Sequence, residues 1–457
     1  MCGILGIIGN KDASRLTYLG LYSLQHRGEE SAGITSFNGR KLLSRQGMGL
    51  ISDVCDEKDI KFLKGNAAIG HVRYSTTGSS HLKNVQPFCI DCKKGKVAIA
   101  HNGNITNTLG LRDQLETQGA IFQTSMDSEI VAHLIAHSPQ KNLRENLTWS
   151  LSQVDGAYSL VMLLNDCLVG ARDPYGFRPL CLGKFDGSYV LASETCALDL
   201  IQATYIRDIE PGEIVFIQNG KIDSIMPFAA RKHSLCIFEY IYFARPDSNI
   251  FGNNVYMARR ALGENLAREY PVDADLVMPV PDSGIFAALG FARQSKIQFE
   301  MGMIRNHYIG RTFIQPSQFI RDFRVKIKLN PVKDILKGKR VVVVEDSIVR
   351  GTTSRARVKN IRDAGARQVH MRVSCPPLKF PCFYGIDFPT KKELIASKYS
   401  LEKIRDFIRL DSLEYLSLEG MLKSMQQKRE EFCTACFSGE YPTHLAKRPK
   451  KTILEER

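Results

Sequence analysis

The chain has 457 residues, enough for two or three domains of ordinary size, and its 44% hydrophobic and 24% charged residues are globular proportions. This composition excludes disordered, fibrous and collagen-like proteins. Because the sequence has neither an apolar run long enough to cross a bilayer nor a signal-peptide pattern at its start, we expect a soluble, cytoplasmic protein without a membrane partner. The formal net charge of +14 at pH 7 favours anionic partners, whether nucleic acid, membrane surface or phosphorylated small molecules.

Short strand-like runs separated by glycine-rich turns fill the first half of the chain and indicate a layered α+β domain. The predicted strands include Ile4–Ile8, Ala67–Ile69, Val97–Ala100, Ser159–Leu164 and Glu213–Ile217. Helical periodicity covers Ala13–Leu24 and Asp127–Ala136.

Strand-like and helical patterns alternate in the second half, which favours βαβ units and a parallel sheet. The predicted elements are Leu276–Val280, helical Ile285–Gln294, Arg340–Val344, helical Thr353–Ala364 and Gln368–Val373. From about Lys391 onward the sequence is charged and mostly helical in pattern, and it ends in a basic, polar tail.

Cys2 follows the initiator methionine and precedes the small residue Gly3. Removal of Met1 would place a free α-amine, with a reference pKa of about 7.7–8.0, beside a thiol, so that one residue supplies both a nucleophile and its base. The alternative is that Cys2 is a small buried hydrophobe near the start of a strand.

Four later stretches, at 24–34, 70–78, 100–107 and 125–129, place polar side chains and glycines after short apolar runs. An enzyme that attacks an amide needs donors where an oxyanion develops, and the Asn102 side chain and the Gly103 backbone suit this role. An amino-acid substrate also needs a cation for its carboxylate and an acid for its ammonium group, roles that fit Arg73 and Asp127.

With these residues the first half resembles the class II glutamine amidotransferases, whose N-terminal nucleophile domain hydrolyses glutamine to glutamate and ammonia. The stretches 171–180, 193–199 and 209–215 add to the resemblance. It implies an αββα domain over residues 2–233 with Cys2 as nucleophile. Glu29 stands where the family has glutamine.

A second motif follows the strand-like run Val341–Val344. The acidic pair Glu345–Asp346 can hold ribose hydroxyls or Mg²⁺, and the turn at Gly351, which opens a helix, presents N–H groups and threonine hydroxyls to a phosphate. The alternative is an ordinary strand-to-helix loop capped by serine or threonine.

This loop resembles the phosphoribosyl pyrophosphate (PRPP) motif of type I phosphoribosyltransferases. The resemblance implies an α/β domain over residues 234–390 and a helical extension over 391–457. The implied PRPP-binding residues are Asp346, Ser347, Arg350, Gly351, Thr352, Thr353, Ser354, Arg311, Lys326 and Lys328. The implied Mg²⁺ ligands are Ser283, Glu345 and Asp346. Glu345 departs from the family's usual aspartate, so metal geometry or PRPP affinity is expected to differ.

Together the two motifs resemble the glutamine phosphoribosylpyrophosphate amidotransferase family, from Cys2 to about Pro442. The resemblance implies that ammonia made at Cys2 passes inside the protein to PRPP and displaces pyrophosphate, giving 5-phosphoribosylamine in the first committed step of purine synthesis. It also implies a homotetramer that is inhibited by purine nucleotides.

Cys433 and Cys436 form a CxxC pair, which needs two more thiolates to hold a metal centre. Cys236 and Cys382, each followed by aromatic residues, are the candidates. One branch of the resembling family carries a 4Fe–4S cluster, and the four cysteines match its ligand positions. Structural zinc is the competing interpretation.

Other patterns are interpreted as structural. Cys89 and Cys92 lack a partner pair, and His133 and His137 lack a third ligand nearby in sequence. The basic run 447–451 is interpreted as a solvated tail, so no nucleic-acid partner is expected.

Three rival functions remain at this level. A glucosamine-phosphate or asparagine synthase would need a different second half, and the loop at 345–354 argues against both. A non-catalytic PRPP-sensing protein would have no use for Cys2 and its companions, and a nucleic-acid-binding protein would need a basic face with exposed aromatics.

Overall fold

The computed structural model describes residues 1–74, 78–306, 329–388, 390–445, 454 and 455. Within these ranges no helix combines the length and the apolar character that crossing a membrane requires.

Thirteen strands in the first half form two antiparallel sheets. Numbered along the chain, they are β1 (Gly3–Ile8), β2 (Ser31–Phe37), β3 (Leu42–Met48), β4 (Ala67–Arg73), β5 (Phe88–Cys92), β6 (Gly95–Ile105), β7 (Gly156–Leu164), β8 (Cys167–Arg172), β9 (Cys181–Phe185), β10 (Ser188–Ala192), β11 (Thr204–Asp208), β12 (Ile214–Gln218) and β13 (Lys221–Ile225). One sheet has the order β11-β9-β10-β1-β4-β2-β3 and the other the order β13-β12-β8-β7-β6-β5.

The two sheets pack face to face with helices on their outer sides. Ile4 and Ile69 of one sheet share a buried cluster with Ala98 and Val161 of the other. The helices of this half are α1 (Ala13–Ser23), α2 (Ile51–Val54), α3 (Glu57–Phe62), α4 (Thr108–Thr117), α5 (Ser128–His137), α6 (Leu143–Leu151) and α7 (Thr195–Leu200). Residues of α1 and α7 join a core on one side, and residues of α4, α5 and α6 join a core on the other. This αββα layering confirms the expected fold class of the first half.

A four-stranded parallel sheet organises the second half, in the order β17-β20-β21-β22. The strands of this half are β14 (Leu235–Cys236), β15 (Asn249–Ile250), β16 (Asn253–Asn254), β17 (Leu276–Pro279), β18 (Met303–Arg305), β19 (Leu329–Pro331), β20 (Arg340–Glu345), β21 (Gln368–Val373), β22 (Ser412–Tyr415) and β23 (Phe432–Cys433). The helices are α8 (Val255–Glu269), α9 (Ile285–Ser295), α10 (Lys333–Leu336), α11 (Thr352–Asp363), α12 (Leu401–Ile408), α13 (Leu418–Lys423) and α14 (Ala435–Ser438).

The predicted βαβ alternation of the second half is confirmed, with one correction. The segment after Lys391, expected to be a helical extension, contributes β22 to the parallel sheet and β23 to a pair with β14. In this strand Ser412 and Glu414 alternate with the buried Leu413 and Tyr415, which belong to the core of the second half.

The two halves share buried surface. Met1 is 1% exposed and belongs to the core of the second half, together with Tyr240 and Ile241 of the single π-helical turn Glu239–Phe243. The start of the chain is therefore packed between the two halves. Cys2, the candidate nucleophile, lies at the junction of the halves, and β1 begins there.

Candidate active site

Cys2 lies immediately before the central strand β1 and is 7% exposed. Its backbone N–H donates to Oδ1 of Asn102 over 3.2 Å, and its thiol lies 3.6 Å from the carbonyl oxygen of Tyr74. Nε of Arg27 donates to the carbonyl oxygen of Cys2 over 2.8 Å. The residue is held on both sides of its peptide, which suits a nucleophile that must approach a substrate in one orientation.

Asn102 and Gly103 lie near the end of β6. Among the described residues the buried Nδ2 of Asn102 has no hydrogen-bond partner, although its Oδ1 accepts from Cys2. Gly103 has φ +155°, and a Cβ there would lie 2.0 Å from the carbonyl oxygen of Ala157. A buried, unpartnered donor on a side chain that is bonded to Cys2 suits an oxyanion site.

Arg73 ends β4 and is 3% exposed. It donates to the carbonyl oxygens of Gly78 (3.4 Å) and Ser79 (3.2 Å), and it lies 3.3 Å from Glu30. The guanidinium thus binds the backbone at Gly78 and Ser79, and Arg73 also lines the Cys2 cavity.

Asp127 immediately precedes α5 and is buried. Its Oδ2 accepts from the backbone N–H of Ile105 over 2.9 Å, and its Oδ1 lies 3.5 Å from Nδ1 of His101. Burial alone would raise the pKa of Asp127, but the charge and hydrogen bond of His101 outweigh it and the pKa is lowered. The carboxylate is therefore negative at the site, as binding an ammonium group requires.

These residues line one small cavity of about 10 Å³, together with Tyr74, Gln86 and Met126. That volume holds about one water molecule, so an amino-acid substrate enters only when lining groups move. The structure brings together Cys2, Gly103, Arg73 and Asp127 around this cavity, with Asn102 hydrogen-bonded to Cys2. Sequence reasoning missed His101, although it lies in the polar stretch 100–107.

A fully buried ionic network lies behind Cys2, and sequence reasoning missed it too. Arg27 is paired with Glu194 and, over 2.9 Å, with Glu239 of the second half. Arg178 lies 3.4 Å from the same carboxylate of Glu239. The only sequence signal is Arg27's place in the stretch 24–34, because its partners are 167 and 212 residues away.

The acidic pair of the second half lies at the carboxyl end of β20, the edge where ligands bind in open parallel sheets. Asp346 accepts hydrogen bonds from Oγ of Ser283 (2.5 Å) and Oγ of Ser347 (2.6 Å). Glu345 pairs with Arg357 over 2.7 Å. Burial, aided by the charge of Asp346 and opposed by Arg357, raises the pKa of Glu345 to about 7.

Gly351 turns the chain into α11 with φ +75°, in the left-handed region that favours glycine. The hydroxyl-bearing residues Thr352 and Thr353 are exposed at the start of the helix, whereas Ser354 is buried. An exposed helix N-terminus of this kind suits a phosphate. Arg350 pairs with Glu393 over 2.9 Å, so in this structure it faces a carboxylate. The candidates Arg311, Lys326 and Lys328 lie outside the described residues.

The four cysteines expected to hold a metal centre come close together. Cys236 and Cys433 are register partners on the parallel strands β14 and β23. Burial raises the pKa of Cys236 to about 11, with Cys382 contributing. Burial also raises the pKa of Cys433, with Cys236 and Cys382 contributing, and that of Cys436, with the other three cysteines contributing. As they stand in the described chain, they do not form a set of three or more side chains that could hold a metal ion.

The patterns interpreted as structural have local partners. Cys89 lies within 3.4 Å of the hydroxyl of Thr35, and His133 lies 3.6 Å from Glu129 on the same helix. Neither pair belongs to a metal-binding group in the described ranges.

Comparison with known proteins gives the following matches. The glutamine amidotransferase domain family matches residues 71–200. Amidophosphoribosyltransferase 2 from Arabidopsis thaliana chloroplasts is 52% identical over 445 residues, covering 96% of this chain and 79% of its own. Amidophosphoribosyltransferase from Bacillus subtilis is 49% identical over 449 residues, covering 97% of this chain and 94% of its own. A solved structure of the B. subtilis glutamine PRPP amidotransferase, complexed with ADP and GMP, superposes with a TM-score of 0.93 at 47% identity, covering 99% of this chain and all of that one.

Proposed function

The chain belongs to the amidophosphoribosyltransferase family, and from this membership we propose which of its own residues carry each step of the reaction. The activity is glutamine-dependent pentosyl transfer: PRPP, glutamine and water give 5-phosphoribosylamine, glutamate and pyrophosphate, the first step of purine biosynthesis. The observation that carries the assignment of roles is the buried Nδ2 of Asn102, which has no partner in the described part of the chain and belongs to the side chain that accepts from the Cys2 N–H.

In the first half-reaction the Cys2 thiolate attacks the amide carbon of glutamine. The α-amine that Met1 removal exposes takes the thiol proton and returns a proton to the departing ammonia. The resulting thioester is hydrolysed by water to glutamate. Nδ2 of Asn102 and the backbone N–H of Gly103 donate to the carbonyl oxygen as it becomes negative, and fixed donors of this kind need no reorganisation when the charge develops.

Arg73 and Asp127 hold the glutamine in place. The Arg73 guanidinium binds the α-carboxylate and the Asp127 carboxylate binds the α-ammonium group. His101 acts as a positioning residue, because its pairing with Asp127 keeps that carboxylate ionised and oriented. The Arg73 guanidinium and the Asp127 carboxylate are both buried. The charged groups of glutamine lose their contacts with water when they enter the site, and pairing with these two side chains compensates for that loss.

In the second half-reaction ammonia displaces pyrophosphate from the anomeric carbon of the ribose. The residues that bind PRPP are Asp346, Ser347, Arg350, Gly351, Thr352, Thr353 and Ser354, with Arg311, Lys326 and Lys328 on the pyrophosphate. Glu345 and Asp346 accept from ribose hydroxyls, and the start of α11 binds the 5′-phosphate. Little proton transfer is needed, so catalysis rests on position and charge.

The residues around Asp346 fit Mg²⁺. Ser283, Glu345 and Asp346 offer only oxygen donors, and two serine hydroxyls already orient the Asp346 carboxylate. When bound with PRPP, Mg²⁺ stabilises the negative charge of the departing pyrophosphate.

Ammonia travels between the sites inside the protein. Support comes from Met1, whose buried side chain occupies the space between Cys2 and the core of the second half. The domains that the route connects are 2–233 and 234–390, with 391–457 as an extension that also supplies β22.

The four cysteines Cys236, Cys382, Cys433 and Cys436 hold a 4Fe–4S cluster in this proposal, with zinc as the alternative. An all-sulfur set fits either centre. The sulfurs would move closer and lose their protons on binding. The positive charge of the metal centre would then offset the burial and the mutual thiolate repulsion that now raise the pKa values of Cys433 and Cys436.

Purine nucleotides regulate the enzyme in this proposal, which draws on the B. subtilis relative solved with ADP and GMP.

The chain assembles as a cytoplasmic homotetramer. Support comes from the edge strand β11, where Tyr205 and Ile206 are exposed beside Leu200 of α7. Exposed apolar groups on an unpaired sheet edge favour contact with another copy.

The test is a synthesis assay with PRPP and either glutamine or ammonia as the nitrogen source. We expect phosphoribosylamine and pyrophosphate from both, and glutamate only from the first. Glutamate release without pyrophosphate under all conditions would contradict the role given to the loop at 345–354.

A further inference from the structure

Segment 383–385 of the second half lies directly on the proposed oxyanion residue of the first half. Gly385 has φ +105°, and a Cβ built on it would lie 3.0 Å from both the carbonyl carbon and oxygen of Gly103, and 3.1 Å from its Cα. The backbones of Gly385 and Gly103 are therefore in contact, at a distance that only glycine permits. Gly103 is also confined by Ala157, whose carbonyl oxygen would lie 2.0 Å from a Cβ on Gly103.

Side chains from the first half hold this segment in place. Nδ2 of Asn104, the residue after Gly103, donates to the carbonyl oxygen of Phe383 over 3.0 Å. Nε of Arg178 donates to the carbonyl oxygen of Tyr384 over 2.9 Å. These two bonds fix successive carbonyls of the segment and are both buried.

Packing adds a third constraint. The rings of Tyr384 and Phe177 are stacked, with centroids 4.2 Å apart and planes 18° from parallel. The Tyr384 hydroxyl is also 2.9 Å from Oγ1 of Thr443. The Tyr384 ring is held by stacking on its face and by a hydrogen bond at its hydroxyl. Gly385, the next residue, therefore has little freedom to shift.

We propose that segment 383–385 is a positioning element for the Gly103 oxyanion donor, so that the glutaminase site is completed by the second half of the chain. The proposal rests on the glutaminase function given above. The Gly103 backbone is confined by both Ala157 and Gly385, and its conformation sets the direction of its N–H. Displacement of Gly385 would let this N–H turn away from the developing charge while the thiol, Arg73 and Asp127 stay in place.

The test compares Gly385→Ala with Gly338→Ala in the full-length enzyme. Gly338 also has positive φ (+75°) but has no atom within 4 Å of its missing Cβ, so it controls for backbone strain alone. The second variant is Asn104→Leu. It removes the hydrogen bond to Phe383 by a change in the first half of the chain and leaves Gly385 in place. Glutaminase kcat and KM are measured together with ammonia-dependent synthesis and the rate of Cys2 alkylation by iodoacetamide.

We expect Gly385→Ala to lower glutaminase kcat by about 10- to 100-fold, with KM for glutamine, ammonia-dependent synthesis and alkylation close to those of Gly338→Ala. Alkylation develops no oxyanion, so it reports the thiol and not the donor. Asn104→Leu should give the same pattern to a smaller degree. If Gly385→Ala does not fold, the kcat loss in Asn104→Leu decides alone.

Equal kcat in Gly385→Ala and Gly338→Ala would overturn the inference, as would a parallel fall of alkylation, which would mean general damage to the site. A wild-type enzyme without glutaminase activity would instead contradict the proposed function itself, so the two failures are distinguishable.

Discussion

Arg27 donates a hydrogen bond from Nε to the carbonyl oxygen of Cys2 over 2.8 Å, and the side chain that makes this bond has no exposed surface. The same guanidinium neutralises Glu194 of its own half and Glu239 of the other. One side chain thus fixes the nucleophile's peptide and joins the two halves.

Replacing Arg27 should therefore cost both stability and glutaminase activity. Arg27→Met leaves two buried carboxylates without their main partner, and we expect the free energy of unfolding in urea to fall by about 3–5 kcal/mol. Arg15→Met, which removes the exposed pair with Glu57, is the matched control and should cost far less, because solvent screens an exposed pair. Similar losses in both variants would contradict the role of the network.

Cys2→Ala should separate the two half-reactions. Loss of the nucleophile should lower glutamine-dependent synthesis by at least about 10³-fold, because no other group forms the thioester. Ammonia-dependent synthesis should remain close to the wild-type rate, since PRPP binds elsewhere. Cys167→Ala, at a buried cysteine of the same half, is the control and should keep both activities. If Cys2→Ala also lost ammonia-dependent synthesis while Cys167→Ala kept it, the result would argue against separate sites.

Glu345 should make PRPP binding depend on pH. Its pKa of about 7 means that the residue is protonated below that pH, and a neutral carboxyl accepts less well from ribose hydroxyls or Mg²⁺. The KM for PRPP should rise by up to about tenfold per pH unit as the pH falls below 7. Glu345→Gln should lose this dependence. Because PRPP itself titrates in both assays, the KM of the wild type is divided by the KM of Glu345→Gln at each pH, which removes the contribution of the substrate. A constant ratio between pH 5.5 and 8 would contradict the prediction.

The same group gives a stability prediction of definite sign. Because the folded-state pKa lies above the ordinary value of 4.5, the folded chain holds the proton more tightly than the unfolded chain. This contribution to stability is fully present below about pH 4.5 and is lost as the pH rises through 7. Relative to the wild type, Glu345→Gln should therefore gain stability with rising pH across that window, as measured by urea unfolding.

Iron analysis tests the cysteine centre. Protein purified without oxygen should contain about four irons per chain, and Cys436→Ser should lose them. Cys89→Ser is the control, because Cys89 lies against Thr35 and Ser44 and away from the proposed ligands. Bound zinc, or iron that persists in Cys436→Ser, would rule out the proposed cluster.

The sequence predicted those elements whose patterns are local. The helix expected at Ala13–Leu24 spans Ala13–Ser23, and the strand at Gln368–Val373 has the expected bounds. Cys2, Gly103, Arg73 and Asp127 were predicted by residue chemistry and line one cavity.

What the sequence could not predict depends on contacts between distant residues. The strand Ser412–Tyr415 lies in a stretch that was expected to be charged and helical, and it is extended where it pairs with β21. The pairing of Arg27 with Glu239, and the contact of Gly385 with Gly103, exist only once the two halves have closed. No periodicity or motif encodes such pairs.

The burial of Met1 sets an order of events during biosynthesis. At 1% exposure, and with its amine held at a pKa of about 4 by burial, the first residue of the folded chain is out of reach of any peptidase. Excision must therefore take place while the nascent chain is still open. A chain that folds with Met1 in place keeps the nitrogen of Cys2 in a peptide bond, where it cannot act as the base of the proposed mechanism.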